Sequence, residues 1–277
     1  CSDMGTGCDT ILAQMAADGL GCDMDNIIVR GVDTDQSPYD SGSYASSTTY
    51  VTGGAVVKAC ESMRKRICEE AAAIMGLKSG EVDFDGETIS ENYNPEHSMS
   101  LSDLITSLEA GNGRIIEVTE SHTSPVSPPP FMAGAAEIEV DLETGKITPI
   151  NYVAAVDCGT VINTNLARIQ TEGGIVQGMG MTLYEDVQYT EAGKMKNRNF
   201  MSYKIPTRLD MGSISVEFES SYEQTGPYGA KSIGEIVINT PAPAIADAVY
   251  NATGLRFRTL PITAEQVMMG LLEREEA

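Results

Sequence analysis

The chain has 277 residues, 42% of them hydrophobic and 21% charged, with a formal net charge of −22. Its 18 basic residues form no cluster against 40 acidic ones, which argues against nucleic-acid binding, since phosphate backbones demand grouped Lys and Arg. No run of 18 apolar residues occurs and no secretory apolar segment opens the chain, so neither a membrane span nor export is expected.

Six cysteines stand at 1, 8, 22, 60, 68 and 158, none in C-x-x-C spacing. That argues against zinc or an iron–sulfur cluster held by this chain alone. The irregular spacing favours free thiols in a reducing cytoplasm, the expected location. His97 and His122 are the only histidines, a poor supply for a His-centred triad. The chain opens at Cys1-Ser2-Asp3-Met4-Gly5 without an initiator Met, which reads as part of a longer or processed subunit.

Apolar residues at 11, 12, 15, 16 and 20 predict a first helix, with Asp9 as N-cap and Gly21 as stop. Ile27-Ile28-Val29 reads as a short strand. Val51, Ala55, Val56, Ala59, Met63 and Ile67 share one face of a helix over 51–75. Residues 79–93 read as a hairpin or loop, and a short helix begins at Asp103 and ends at Gly111-Asn112-Gly113. His122 to Pro130, HTSPVSPPP, has four prolines in nine residues and must be an extended connector.

Beyond the connector, Ala135–Val140 and Ile147–Val156 form two strands around the turn Asp141–Lys146. A long helix is predicted over 165–183, then strands near 183–189 and 214–220. Thr240 with Pro241 opens a helix whose inner stripe is Ala242, Ile245, Ala246, Val249 and Ala252, ending before Gly254. Leu255, Phe257 and Thr259 alternate with Arg256 and Arg258 as in a half-buried strand, and Thr263 to Gln266 has capping-box spacing. This irregular mixture indicates an α+β fold of mixed sheets with packed helices. Its expected organisation is one domain, 1–277, with sublobes 1–120 and 131–277 joined by connector 121–130.

Three Gly/Ser/Thr loops feed helices: Gly5-Thr6-Gly7, Gly42 to Thr49, and Gly159 to Asn165. Such loops present unpaired N–H groups and hydroxyls to an anion. They serve equally as ordinary N-caps, and none completes a standard nucleotide motif. Gln177 lies in a helix with Gly173, Gly174, Gly178 and Gly180. That composition suits a flat ligand packed on the helix or close helix packing, two readings of equal weight. Glu235 sits among Ile233, Gly234, Ile236, Val237 and Ile238, either as an edge charge facing water or as a base in an apolar wall.

Six stretches together carry a resemblance: DMGTGCDTILAQ (3–14), SGSYASSTTYVTGGAV (41–56), PPPFMAGAAEIEVDLETGKI (128–147), VDCGTVINTNLARIQTEGGIVQGMG (156–180), YKIPT (203–207) and GAKSIGEIVINTPAPAIADAVYNATG (229–254). In this order they resemble the molybdenum hydroxylases, the xanthine dehydrogenase and aldehyde oxidoreductase family. The likeness covers nearly the whole chain and corresponds to the C-terminal half of the molybdopterin-binding subunit. It implies the fold of that molybdopterin-binding domain and a Mo-bearing molybdopterin cytosine dinucleotide with a terminal sulfido or selenido ligand. The metal is then held through the pterin, with no direct protein ligand and Glu235 beside it in a dry pocket as catalytic base. The implied cofactor contacts are Gly5, Thr6, Gly7, Ser43, Tyr44, Ala45, Ser46, Ser47, Thr48, Asn163, Gln177, Lys231, Ser232, Ile233 and Gly234. The family often has glutamine where Thr6 stands.

The reaction implied is insertion of a water-derived oxygen at an electron-poor carbon of a small aromatic heterocycle, hydride passing to the terminal ligand. A second molybdopterin-binding subunit, an iron–sulfur subunit carrying [2Fe-2S] and an FAD subunit are the implied partners. The split arrangement resembles the nicotinate dehydrogenases most, hence nicotinate to 6-hydroxynicotinate. A purine or aldehyde hydroxylase subunit, or a non-catalytic cofactor-binding partner, is the alternative.

Overall fold

The computed structural model describes residues 1–124 and 126–275, so Pro125 of the expected connector lies outside the described residues. The chain divides into two compact units: 1–128 with 223–232, and 129–222 with 233–277. The first ends inside the proline-rich connector. Residues 223–232 return to it, although the sequence reading placed them with the second sublobe.

In the first unit, α1 (Cys8–Leu20) and α2 (Gly53–Met75) pack together, followed by a three-stranded antiparallel sheet of β1 (Val82–Phe84), β2 (Thr88–Glu91) and β3 (Asn94–Ser100) and by α3 (Leu101–Asn112). Ile67, Ala71, Phe84, Ile89, Leu104 and Leu108 bury the contact between helices and sheet. Each of the larger side chains, Ile67, Phe84, Ile89, Leu104 and Leu108, contributes on the order of 1.5–3 kcal/mol. Strand β3 had no counterpart in the sequence reading, because its NPEHSMS stretch is almost wholly exposed and polar. Ser100 caps α3 by accepting from the Asp103 backbone N–H at 3.0 Å.

Two local expectations are corrected here. Asp9 does not cap α1; Gly7, at φ 77°, is the N-cap and Asp9 lies in the first turn. Ile27–Val29 is not a strand, for Ile28 is 80% exposed and no neighbouring strand satisfies the backbone there.

The second unit is built on β4 (Phe131–Val140), β5 (Ile147–Asp157) and β6 (Ser213–Phe218). β4 and β5 form the expected hairpin, while β6 lies parallel to β5, a pairing that needs a long crossover. Helix α4 (Thr164–Leu183) and the irregular residues 184–212 supply it. Helices α5 (Pro241–Thr253) and α6 (Ala264–Glu275) complete the unit. Tyr152, Val156, Ile175, Met179, Ile245, Val249, Ile262 and Val267 form its core, each at most 2% exposed.

The strand expected near 183–189 is irregular beyond the end of α4. Residues 255–258 keep the predicted alternation of half-buried and exposed side chains, but Thr259 is exposed, and the stretch runs beside no strand and forms no ladder. Arg256 instead stacks on Tyr250, 4.0 Å from the ring centroid. At α6 the capping box is complete: Gln266 N–H donates to Thr263 Oγ1 at 3.2 Å and Thr263 N–H to Gln266 Oε1 at 3.0 Å. Among the described residues, no helix is long and apolar enough to cross a membrane.

The glycines of α4 have a structural cause. A Cβ on Gly174 would stand 2.2 Å from Val237 Cγ2, and one on Gly178 would stand 2.7 Å from Pro241 Cγ. The helix therefore seats the turn 236–241 directly on its backbone. A Cβ on Gly173 would meet nothing within 4 Å. In urea denaturation of the full protein, Gly174→Ala is expected to destabilise by about 1–3 kcal/mol through overpacking. Gly173→Ala is expected to stabilise by up to about 1 kcal/mol through helix propensity.

Candidate functional site

Within the first unit, three expected site segments are tied together. Ser43 Oγ donates to Ser2 O at 3.3 Å, joining the second loop to the first. The backbone N–H of Tyr50 donates to Ser232 Oγ at 3.2 Å, drawing Lys231 and Ser232 against the same turn. Tyr50 OH and Thr225 Oγ1 share a hydrogen bond of 2.6 Å. Tyr228 OH donates to Met15 O at 2.9 Å, and burial with nearby negative charge pushes its pKa up to about 12. Lys231 and Ser232 are buried.

The first loop is closed by its own carboxylate. Asp3 Oδ1 accepts from Gly5 N at 2.8 Å and Gly7 N at 3.2 Å, and Oδ2 accepts from Asp9 N at 3.4 Å. These are the donors that an external anion would have used. Desolvation raises the Asp3 pKa, but the backbone hydrogen bonds outweigh it and hold the carboxyl below the usual range. Asp3, Cys8 and Asp9 bring ligand atoms within 4.8 Å of one another. However, burial, then Asp3 and Asp9, push the Cys8 thiol up to about 11, and a protonated thiol is a poor metal ligand.

The second loop is open. Ala45 (φ 51°) and Ser46 (φ 54°) both take the left-handed conformation, which non-glycine residues seldom adopt. Ser47 Oγ donates to Gly42 O at 3.2 Å, and Thr48–Thr52 forms a π-helical turn leading into α2. Such turns are frequent at functional sites. Helix α2 continues directly from this turn: the Gly53 N–H already bonds Thr48 O and Tyr50 O, and Thr52 Oγ1 donates to Asp40 Oδ2 at 3.4 Å. Beside the loop lies a hollow of about 400 Å³, whose wall includes hydroxyls of Ser46, Ser47, Tyr50, Thr123 and Ser124, together with His122. That volume is in the range of small-molecule sites.

In the second unit, Asn163 is an N-cap: its Oδ1 accepts from Leu166 N at 3.0 Å, the ordinary role considered for the third loop. Gln177 is exposed and lies one turn from exposed Gly173, on the same face of α4. Thr240 precedes α5 but its side chain caps nothing; its Oγ1 accepts from Tyr152 OH at 2.8 Å. Glu235 precedes a 3₁₀ turn, Ile236–Ile238, and not a strand. The turn buries Val237 and leaves Glu235 exposed. The dry pocket expected around this carboxylate is therefore not formed by this chain's own residues. Val237 packs on Gly174 of α4 instead, with Ile233, Ile236 and Ile238 half-buried.

The molybdopterin cofactor-binding domain model matches residues 1–212, and the chain belongs to that family. Glu235 lies beyond the matched span. The probable hypoxanthine oxidase XdhD of Escherichia coli (strain K12) is 33% identical over 275 residues, 98% of this chain and 28% of that protein. The nicotine 6-hydroxylase large subunit of Paenarthrobacter nicotinovorans is 29% identical over 283 residues, 96% of this chain and 34% of that protein. The crystal structure of quinoline 2-oxidoreductase from Pseudomonas putida 86 superposes with a TM-score of 0.83 at 26% identity, over 98% of this chain and 36% of that one. The chain thus spans about a third of the length of these relatives.

The residues fit a phosphate-bearing pterin. The hollow is walled by hydroxyls and an imidazole, with no carboxylate among its described residues. His122 Nδ1 is buried with no hydrogen-bond partner among the described residues, the kind of atom that a ligand or water completes. Sequence reading missed His122, because its only signal was a place in a proline-rich connector.

Asp3 also makes a pH prediction. A carboxyl depressed in the fold contributes stability above its unfolded pKa of about 3.9, lost as pH falls through the folded value. The Gly5 and Gly7 amides are therefore expected to lose protection from hydrogen exchange below about pH 4. Asp3→Asn is expected to show part of that loss already at neutral pH.

Proposed function

We propose that this chain is the molybdopterin-binding catalytic part of a multi-subunit molybdenum hydroxylase. The proposed reaction inserts a water-derived oxygen at an electron-poor carbon of an N-heterocycle, with nicotinate to 6-hydroxynicotinate as the leading substrate pair. The observation that carries this reading is the hydroxyl-lined, carboxylate-free hollow beside the left-handed loop and π-helical turn that lead into α2, on a chain of the molybdopterin-binding family. Two heteroaromatic relatives, named for nicotine and quinoline, support the substrate class. When bound, the molybdenum cofactor, in its cytosine dinucleotide form, supplies the two-electron oxidation.

The chain's own residues bind and orient. Ser43 to Thr48, with Gly5, Thr6, Gly7, Lys231 and Ser232, hold the cofactor from the first unit. Asn163, Gln177, Ile233 and Gly234 are the remaining proposed contacts, Asn163 by fixing the start of α4. Glu235 accepts the proton that the attacking water oxygen must lose. Its carboxylate is exposed on this chain, so the desolvation that strengthens such a base comes from cofactor, substrate and the remaining assembly. That assembly comprises a second molybdopterin-binding subunit, a [2Fe-2S] subunit and an FAD subunit. Relatives described as subunits of larger complexes support it.

A purine hydroxylase is the second reading, favoured by the 33% identity to the probable hypoxanthine oxidase. Turnover of the intact enzyme with nicotinate against hypoxanthine separates the two. Glu235→Gln is expected to keep molybdenum bound while lowering kcat by about 10²–10⁴-fold. Loss of molybdenum in this variant assigns Glu235 a structural role, and undiminished turnover removes it from the mechanism.

A further inference from the structure

We propose that His122 is a phosphate-binding residue, and that the connector 122–124 forms with Ser46 and Ser47 the seat for the phosphate ester tail of the cofactor. The proposal rests on the cofactor reading above and adds to it a segment that no sequence motif assigned.

Four observations converge on this corner of the first unit. His122, Thr123 and Ser124 line the same hollow as Ser46, Ser47 and Tyr50. Its described wall holds several hydroxyl donors, one imidazole and no carboxylate, in a chain whose net charge is −22. An acid-free hollow is where an anion can stand in such a field. Through Tyr50 and Val51 the hollow adjoins the π-helical turn Thr48–Thr52, from which the 23-residue helix α2 continues. The dipole of this continuous helical stretch favours a negative ligand at its Ser46–Ser47 end.

The third observation is the orphaned nitrogen. His122 Nδ1 is buried without a partner among the described residues, and buried polar atoms are nearly always satisfied. A phosphate oxygen or its bound water satisfies it. The fourth is the way the ring is held. A Cβ on Gly54 would stand 2.7 Å from His122 Cδ2 and 3.0 Å from Nε2, so the imidazole lies against the α2 backbone only because position 54 is glycine. Lys58, one turn further along α2, donates to Ser121 O at 3.4 Å and adds positive charge beside the ring. Tyr50 OH, accepting from Ser124 Oγ at 3.0 Å, fixes the connector against the turn.

The test uses the intact enzyme and three variants, His122→Ala, His122→Gln and Gly54→Ala, with molybdenum and acid-released nucleotide measured per chain. His122→Ala and Gly54→Ala are expected to lose at least about ten-fold in nucleotide retention after dialysis, which corresponds to about 1.4 kcal/mol. His122→Gln, which keeps a donor, is expected to retain more than His122→Ala. Apoenzyme titrated with cytidine 5′-diphosphate is expected to bind it about ten-fold more weakly in His122→Ala, with an unchanged melting temperature. Wild-type retention by His122→Ala overturns this proposal while leaving the cofactor reading intact. A wild-type enzyme carrying neither molybdenum nor nucleotide overturns the cofactor reading itself. If His122→Ala does not fold, His122→Phe, which keeps a ring and removes both nitrogens, decides: at least about ten-fold weaker cytidine 5′-diphosphate binding with an unchanged melting temperature supports the proposal, and wild-type affinity overturns it.

Discussion

The hydrogen bond from the Tyr50 backbone to Ser232 Oγ closes a chain excursion of 182 residues. Everything proposed for the first unit depends on that closure. Residues 223–232 are held at three points, through Thr225, Tyr228 and Ser232, so Lys231 and Ser232 reach the second loop from far away in sequence. Loop-closure entropy grows slowly with length, and a few hydrogen bonds, one buried and two part-buried, suffice to fix such a return. The same stretch then passes into the second unit at Ile233, where packing of Val237 on Gly174 sets the position of the turn that displays Glu235.

A chain with this excess of acid can bind an anionic cofactor only where local structure reverses the field. The second loop achieves that with backbone geometry and hydroxyls and without a wall of basic side chains. Two successive left-handed residues and a π-helical turn are costly local conformations, and their concentration beside the hollow marks where the fold gives up local stability for shape.

Much of the architecture was legible in the sequence because it was carried by local signals. Helices α2, α4, α5 and α6 followed from apolar periodicity, Gly254 and the Thr263–Gln266 box. The β4–β5 hairpin followed from its turn. Two strands were read where no partner strand exists among the described residues: Leu255 to Arg258 alternates as read, and Ile27–Val29 is an apolar run, but an apolar pattern does not show which strand, if any, will pair with it. The surroundings of Glu235 were less legible, since its β-branched neighbours suggested a wall around the carboxylate, whereas Val237 buries itself against a helix glycine and Glu235 stays exposed. The site loops were visible as composition, but the occupation of the first by Asp3 and the joining of His122 to the second arise from tertiary contacts that no short window of sequence contains.

The self-satisfied first loop carries a kinetic meaning. With its amides already engaged by a residue of the same chain, this stretch holds its bend before any guest arrives, so little ordering remains to be done on docking. Ubiquitous inorganic anions such as sulfate gain nothing by visiting it, since they would have to evict a tethered competitor of the same sign. An empty subunit is thereby kept available at this corner for a guest that offers donors and flat surface in place of charge.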